Sequence, residues 1–194
     1  MNELEVKIFG IDVGAVRAKL VASGAEFVSK TEFTTTHFDF PDGRLTAAGE
    51  YLRICAYPDG SGTFTHKGKN MGSDVSIREE TETDVKYAAV LEKIIATIGF
   101  VPVLKHSKHC ESFRLGKVHY DIDTYQNLAP FVEVEAPTQN DVVAGVRLLG
   151  YRMEQTFSGT ILEYLHTQGI DPATVGIQII QPPQRTERTE QTPR

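Results

Sequence analysis

Acidic and basic residues alternate with aliphatic ones in two short stretches far apart in the chain. Glu3-Leu4-Glu5-Val6-Lys7-Ile8 puts Glu3, Glu5 and Lys7 on one face of an extended strand and Leu4, Val6 and Ile8 on the other. Phe131-Val132-Glu133-Val134-Glu135 repeats the pattern, with Glu133 and Glu135 opposed to Val132 and Val134. Paired carboxylates on separate strands are hard oxygen donors that can converge on a divalent cation. The plainer alternative is the solvated face of a half-exposed sheet.

The same period runs through other stretches. Arg53 and Cys55 oppose Leu52 and Ile54, Lys67 opposes Phe64, and Arg78, Glu80 and Glu82 share one face. His106, Lys108 and Cys110 share another, and Asp121 and Asp123 oppose Tyr120 and Ile122. Nearly every strand thus has one face of mixed charge and one apolar face. If apolar helices wrap a closed sheet, the apolar faces meet the helices and the charged faces line the interior. That inverts the usual small closed sheet, whose interior is filled by apolar side chains. Such an interior is costly unless a ligand compensates the charges. Bases together with acids suit a metal-chelated polyphosphate: Arg and Lys take phosphate oxygens, and carboxylates take Mg²⁺ or Mn²⁺.

The elements that must position these residues follow from local signals. Asp12 caps a helix over Val13, Val16, Leu20 and Val21 that stops at Gly24, and a long strand is expected from Ala25 to Phe40. Pro41-Asp42-Gly43 is a turn; Tyr51–Tyr57 and Thr63–Lys67 form a hairpin over Pro58-Asp59-Gly60-Ser61-Gly62. Val75–Glu82 reads as a strand. Asp84–Gly99 reads as the strongest helix, with one apolar stripe from Val85 to Ile98. Strands are expected at Val101–Leu115, Val118–Asp123 and Phe131–Glu135. A helix capped by Thr138 ends at Gly150, and a short one surrounds Ile161–Leu165. The expected fold class is α+β: an eight-stranded antiparallel β tunnel (barrel) with a charged interior, flanked by helices. Residues 1–168 form the domain. Residues 169–194 are expected to be a disordered tail, dominated from Gln181 by Gln, Pro, Thr, Glu and Arg.

At 194 residues, 40% hydrophobic and 24% charged, the chain fits one globular domain. A net charge of −6 argues against nucleic acid as the main ligand. No apolar run is long enough for a transmembrane helix, and the opening strand leaves no room for a secretory signal, so a cytoplasmic location and no membrane partner are expected. Two cysteines, Cys55 and Cys110, are too few for a disulfide framework or a zinc site.

Six blocks, in order, resemble the CYTH family, also called triphosphate tunnel metalloenzymes. They are Glu3–Lys7 (the family's ExExK), His37–Leu45, Gly49–Ile54, Thr63–Gly68, Arg78-Glu79-Glu80 and Phe131–Glu135, and the resemblance spans about residues 1 to 166. The family includes class IV adenylate cyclases, thiamine triphosphatases and inorganic tripolyphosphatases. The resemblance implies an eight-stranded tunnel, a triphosphate held inside and catalysis with Mg²⁺ or Mn²⁺. By position, Glu3, Glu5, Glu80, Asp123, Glu133 and Glu135 match metal-binding acids, with Glu82 a weaker match. Lys7, Arg53, Lys67, Arg78 and Lys108 are the expected phosphate-binding bases, and Lys7, Glu5 and Arg53 the expected catalytic set. Two family arginines are cysteines here: Leu52-Arg53-Ile54-Cys55 replaces Leu-Arg-Ile-Arg, and Lys108-His109-Cys110 replaces Lys-x-Arg. The implied activity is that of a class IV adenylate cyclase-like enzyme, ATP to cyclic AMP and pyrophosphate. An inorganic or organic triphosphatase and a non-catalytic nucleotide or polyphosphate binder are the alternatives, and a homodimer is compatible with all three.

Overall fold

A computed structural model describes residues 2–180; the tail expected from Gln181 onward lies outside the described residues. Nine strands form one antiparallel sheet: β1 (Asn2–Phe9), β2 (Glu26–Asp39), β3 (Tyr51–Ala56), β4 (Gly62–Lys67), β5 (Ser76–Val85), β6 (Val101–Leu115), β7 (Val118–Thr124), β8 (Phe131–Ala136) and β9 (Gln178–Ile179). The order is β2-β3-β4-β5-β1-β8-β7-β6-β9, and pairing of β2 with β6 closes eight of the strands into a ring. β2 and β6 are the longest strands, and register shifts at Phe27/Ser29 and His37/Phe38 bend them around it.

Five α-helices accompany the ring: α1 (Val13–Ala22), α2 (Arg44–Ala48), α3 (Ala88–Thr97), α4 (Gln139–Leu148) and α5 (Ile161–Thr167). The expected caps are in place. Asp12 accepts from the Ala15 amide at 3.0 Å, and Thr138 from that of Asp141 at 3.2 Å. α2 was not foreseen. Its first amides are satisfied by Asp39, at the end of β2, which accepts from Leu45 N and Thr46 N. The helix expected from Asp84 starts at Ala88, because Asp84 and Val85 remain in the ladder opposite Thr63 and Gly62.

The apolar core lies outside the ring. Val6, Ile8, Tyr120, Ile122, Val132 and Val134 face outward and pack against Val16 and Leu20 of α1 and Val142 and Val146 of α4. Each such side chain, fully buried, contributes roughly 1.5–3 kcal/mol. α4 rests directly on the sheet at Gly145, where a Cβ would lie 2.8 Å from Val134 Cγ1 and 2.9 Å from Val118 Cγ1. α3 covers Ile54, Leu52 and Phe64 through Ala88, Leu91 and Ile95. Ile94 and Ile98 of the expected stripe are exposed, as is Val90 beside it.

Residues 169–180 join the domain rather than leaving it. A 3₁₀ turn at Pro172–Val175 leads into β9, which pairs with Leu104 and Lys105 of β6 beyond the end of β7. Val175 and Ile177 are buried with Leu104, Tyr125, Phe131 and Leu165. Among the described residues, no helix is long and apolar enough to cross a membrane.

Candidate functional site

With the apolar side chains turned outward, the alternate positions of all eight ring strands face a cavity of about 1210 Å³. Of the expected acids, Glu3, Glu5, Glu80, Glu82, Glu133 and Glu135 line it. So do all five expected bases, Lys7, Arg53, Lys67, Arg78 and Lys108. Asp123 differs: it is fully buried and does not line the cavity, and it accepts a hydrogen bond from Lys108. Arg78 is also tied to the scaffold, donating to Gly49 O at 2.9 Å and Gly68 O at 2.6 Å, with its guanidinium 5.2 Å from the Tyr51 ring centroid.

Three lysines organise the acids. Lys7 contacts Glu5 at 2.6 Å and Glu133 at 3.2 Å. Lys67 contacts Glu3, and Glu80 at 3.0 Å. Lys108 contacts Asp123, and Glu133 at 4.0 Å. Arg53 reaches Glu80 at 3.7 Å, and its Nε, buried, has no hydrogen-bond partner. The registers explain these groupings. Glu5 stands opposite Glu135, Lys7 opposite Glu133, and Lys67 opposite Glu80, so neighbours across the ladder meet inside the ring.

Burial and charge act against each other here. Burial raises the Glu5 carboxyl, but the Lys7 and Lys67 charges outweigh it and hold Glu5 below the ordinary range. Glu133 is drawn down to about 2 against its burial by Lys7 and Lys108. Glu3 goes the other way: burial pushes it up to about 8 despite Lys67, aided by the charge of Glu5 and by Glu80. Burial also lifts Glu135 to about 7 and Asp123 to about 7. Lys7, Lys67 and Lys108 are held above the ordinary lysine value because the surrounding carboxylates outweigh the cost of burial.

Among the described residues, no three acidic, histidine or cysteine side chains are gathered tightly enough to form a metal cage. The donor chemistry does suit a hard cation. Glu3, Glu5, Glu80 and Glu135 are oxygen donors on one side of the cavity, and two of them are pushed toward neutrality by burial and by neighbouring carboxylates. A divalent cation among them would relieve that crowding.

Several other interior residues were placed on strand faces by the sequence but, Glu82 apart, given no expected role. His37 and His106 face each other with centroids 5.7 Å apart, and burial pushes both down to about 3, leaving them uncharged. His106 Nδ1 is buried without a hydrogen-bond partner. Asp121 lines the cavity and accepts from Ser112 at 2.6 Å; Glu82 accepts from Thr65 at 2.6 Å. Tyr51 and Tyr57 also face inward, a placement that the period through Arg53 and Cys55 could have revealed. Arg44 pairs with Asp42 at 3.0 Å on the surface.

The profile of the CYTH domain matches residues 1–143. A Methanocaldococcus jannaschii protein provisionally named an adenylate cyclase is 27% identical over 135 residues, 70% of this chain and 77% of that one. Among solved structures, a Vibrio parahaemolyticus protein with the same provisional name superposes with a TM-score of 0.75 at 16% identity, covering 84% of this chain and 97% of the other. A Pyrococcus horikoshii protein gives 0.69 at 20% identity, over 83% and 98%. A Hippeastrum protein, provisionally named an adenylyl cyclase and described as having a dominant triphosphatase activity, gives 0.59 at 16%, over 87% and 97%. At these identities the structural matches speak for the fold.

Proposed function

Because the chain belongs to the CYTH domain family, we propose that it is a divalent-metal-dependent enzyme acting on a triphosphate, of the class IV adenylate cyclase-like kind, converting ATP to cyclic AMP and pyrophosphate. One observation carries this reading. Lys7, Lys67, Lys108 and Arg53 project as cations into the ring, and among the described residues their ion-pair partners are carboxylates inside the same ring. Buried ion pairs of this kind contribute little net stability, so so many of them in one cavity point to a ligand rather than to the fold.

The lysines exchange a carboxylate for a phosphate oxygen when the triphosphate enters, and Arg53 adds a guanidinium whose Nε is otherwise unused. Glu3, Glu5, Glu80, Glu133 and Glu135 are the residues that would hold Mg²⁺ or Mn²⁺, which supplies Lewis-acid polarisation of a phosphoryl oxygen. Asp123 and Glu133 hold Lys108 from behind and beside it, fixing where its charge falls. In cyclisation the ribose 3′-hydroxyl releases its proton to solvent water as its oxygen bonds to the α-phosphorus, the bond from that phosphorus to the β-phosphate oxygen breaks, and the charge developing on pyrophosphate is met by the lysines.

Hydrolysis is the second reading, favoured by the description of the Hippeastrum protein and by the fact that the same cations would hold a terminal phosphate for attack by water. Phosphorus NMR of the protein with Mn²⁺ or Mg²⁺ and ATP, and separately tripolyphosphate, tests both. Cyclic AMP with pyrophosphate, absent from a Glu3→Gln/Glu5→Gln control, is expected. Orthophosphate moves the assignment to a triphosphatase, and saturable binding without turnover makes the chain a binding protein.

A further inference from the structure

We propose that the first half of β2 is an interface at which a second copy of this chain adds its own β2, antiparallel, to form a two-fold dimer. The pairing does not depend on what the cavity binds.

β2 uses its two edges unequally. Toward β6 it is paired from Glu26 to Asp39. Toward β3 it is paired only from Thr34 to Phe38. β3 ends at Ala56, and the chain turns back there, with Tyr57 N donating to Ser61 O at 2.8 Å. Among the described residues no strand pairs with that edge of β2 from Glu26 to Phe33. In an antiparallel ladder alternate residues turn their N–H and C=O to the same side, so this stretch presents a row of unpaired backbone groups. An open edge of this kind is a template for another strand.

The side chains on the edge say which strand fits. Lys30 lies 2.9 Å from Glu111 of β6, and Glu32 lies 3.8 Å from His109. Their side chains are nevertheless 65% and 58% exposed. Antiparallel pairing of two copies about Thr31 places Lys30 of each copy opposite Glu32 of the other, so the two-fold axis makes two cross-strand ion pairs at once. Moving the centre by one residue sets Lys30 against Lys30 or Glu32 against Glu32, and like charges directly opposite are destabilising. The charge pattern is therefore complementary to itself in one register.

The same edge is bounded at both ends. The register shift between Phe27 and Ser29 interrupts regular pairing on one side, and β3 occupies the edge from Thr34 on the other. Ser29–Phe33 is long enough for one partner strand and is used up by it, which closes the assembly as a dimer rather than a growing fibre. Phe27 and Val28, 55% and 53% exposed, stand at the end of this stretch, where a second copy would cover apolar surface. Ser29, Thr31 and Phe33 also line the cavity, so the seam between the copies runs along its wall.

Sedimentation velocity of the full chain at concentrations up to about 100 µM tests this. The wild type should sediment as a dimer at the top of that range. Lys30→Glu and Glu32→Lys each set like charges across the seam twice, and each should weaken dimerisation by about tenfold or more. The double variant Lys30→Glu/Glu32→Lys restores both pairs with reversed polarity and should dimerise again. An equal mixture of the two single variants should also dimerise, which would show that neither has lost its fold. Restoration in either case supports pairing about Thr31. A wild type that stays monomeric overturns the proposal, as do single variants that dimerise like the wild type, or a double variant and a mixture that both remain monomeric.

Discussion

Glu5 and Glu135 stand directly opposite each other across the β1–β8 ladder, both facing the cavity. Like charges in that arrangement repel, and the two carboxylates resolve the conflict differently. Lys7 takes Glu5 at 2.6 Å and holds it ionised. Glu135 is left without an ion pair among the described residues, and burial raises it to about 7. With Glu3 at about 8, two of the acids lining the cavity lie near neutrality, as does Asp123, at about 7, behind Lys108.

Metal-free stability should therefore depend on pH. Glu3 and Glu135 start from an ordinary value of 4.5 and rise to about 8 and about 7 in the folded chain. The folded state then binds more protons than the unfolded one, so their contribution to stability falls as pH rises from about 4.5 through 7 and 8. Glu135→Gln removes one of these groups. Its melting temperature should decline less than that of the wild type between pH 5 and 8; parallel curves would refute the assignment.

On the proposed reading, divalent metal would compete with those protons. Affinity for Mn²⁺ without nucleotide should strengthen from pH 6 to 8, by up to about tenfold per pH unit for each proton displaced. Calorimetry in buffers of different ionisation enthalpy counts the protons directly. Binding with no proton release at pH 6 would remove Glu3 and Glu135 from the metal site.

Lys7 is 5% exposed and neutralises both Glu5 and Glu133. Lys7→Met should cost about 3–5 kcal/mol in urea unfolding, because two buried carboxylates lose their counter-charge. Adding Glu5→Gln and Glu133→Gln should restore most of the loss. A triple variant as unstable as the single one would show that packing, not charge, sets the cost.

The cations should matter to chemistry in proportion to their access to the cavity. Lys67→Met should lower turnover of the triphosphate on the order of 10²-fold. Arg17→Ala, which breaks a bidentate pair with Glu111 on the outer surface, should leave turnover unchanged and cost less than about 1 kcal/mol. Steady-state kinetics on the two variants makes the comparison.

The segment after α5 should prove structural. Ile177→Ala empties part of the cluster around Leu104, Tyr125, Phe131 and Leu165, and should cost about 2–5 kcal/mol. Denaturant unfolding measures this, and a loss below about 0.5 kcal/mol would place residues 169–180 outside the cooperative unit.

The strands were readable because their period is 2, with apolar outward residues on β1, β3, β7 and β8; every expected strand was found with its ends shifted by only a few residues. The motif residues were readable for the same reason, since a side chain on the charged face has nowhere to go but inward once helices cover the other face. α2 and β9 were not. α2 is five residues long and is held by Asp39, a group outside the helix, so no amphipathic repeat announces it. β9 has two residues and exists because β7 stops short of Leu104 and leaves that edge of β6 open.

Alternation along each strand is a local property, and it settles which residues share a face before any contact is made. Which acid meets which base is a property of registers across strands distant in the chain. Lys67 faces Glu80 because β4 pairs β5, and Glu135 faces Glu5 because β8 pairs β1. Those pairings leave Asp123 behind Lys108 and set Glu3, Glu135 and Asp123 near neutrality. Closure of the ring turns a list of charged residues into a site, because ionisation energies depend on burial and on neighbours within a few ångströms, which strand periodicity does not specify.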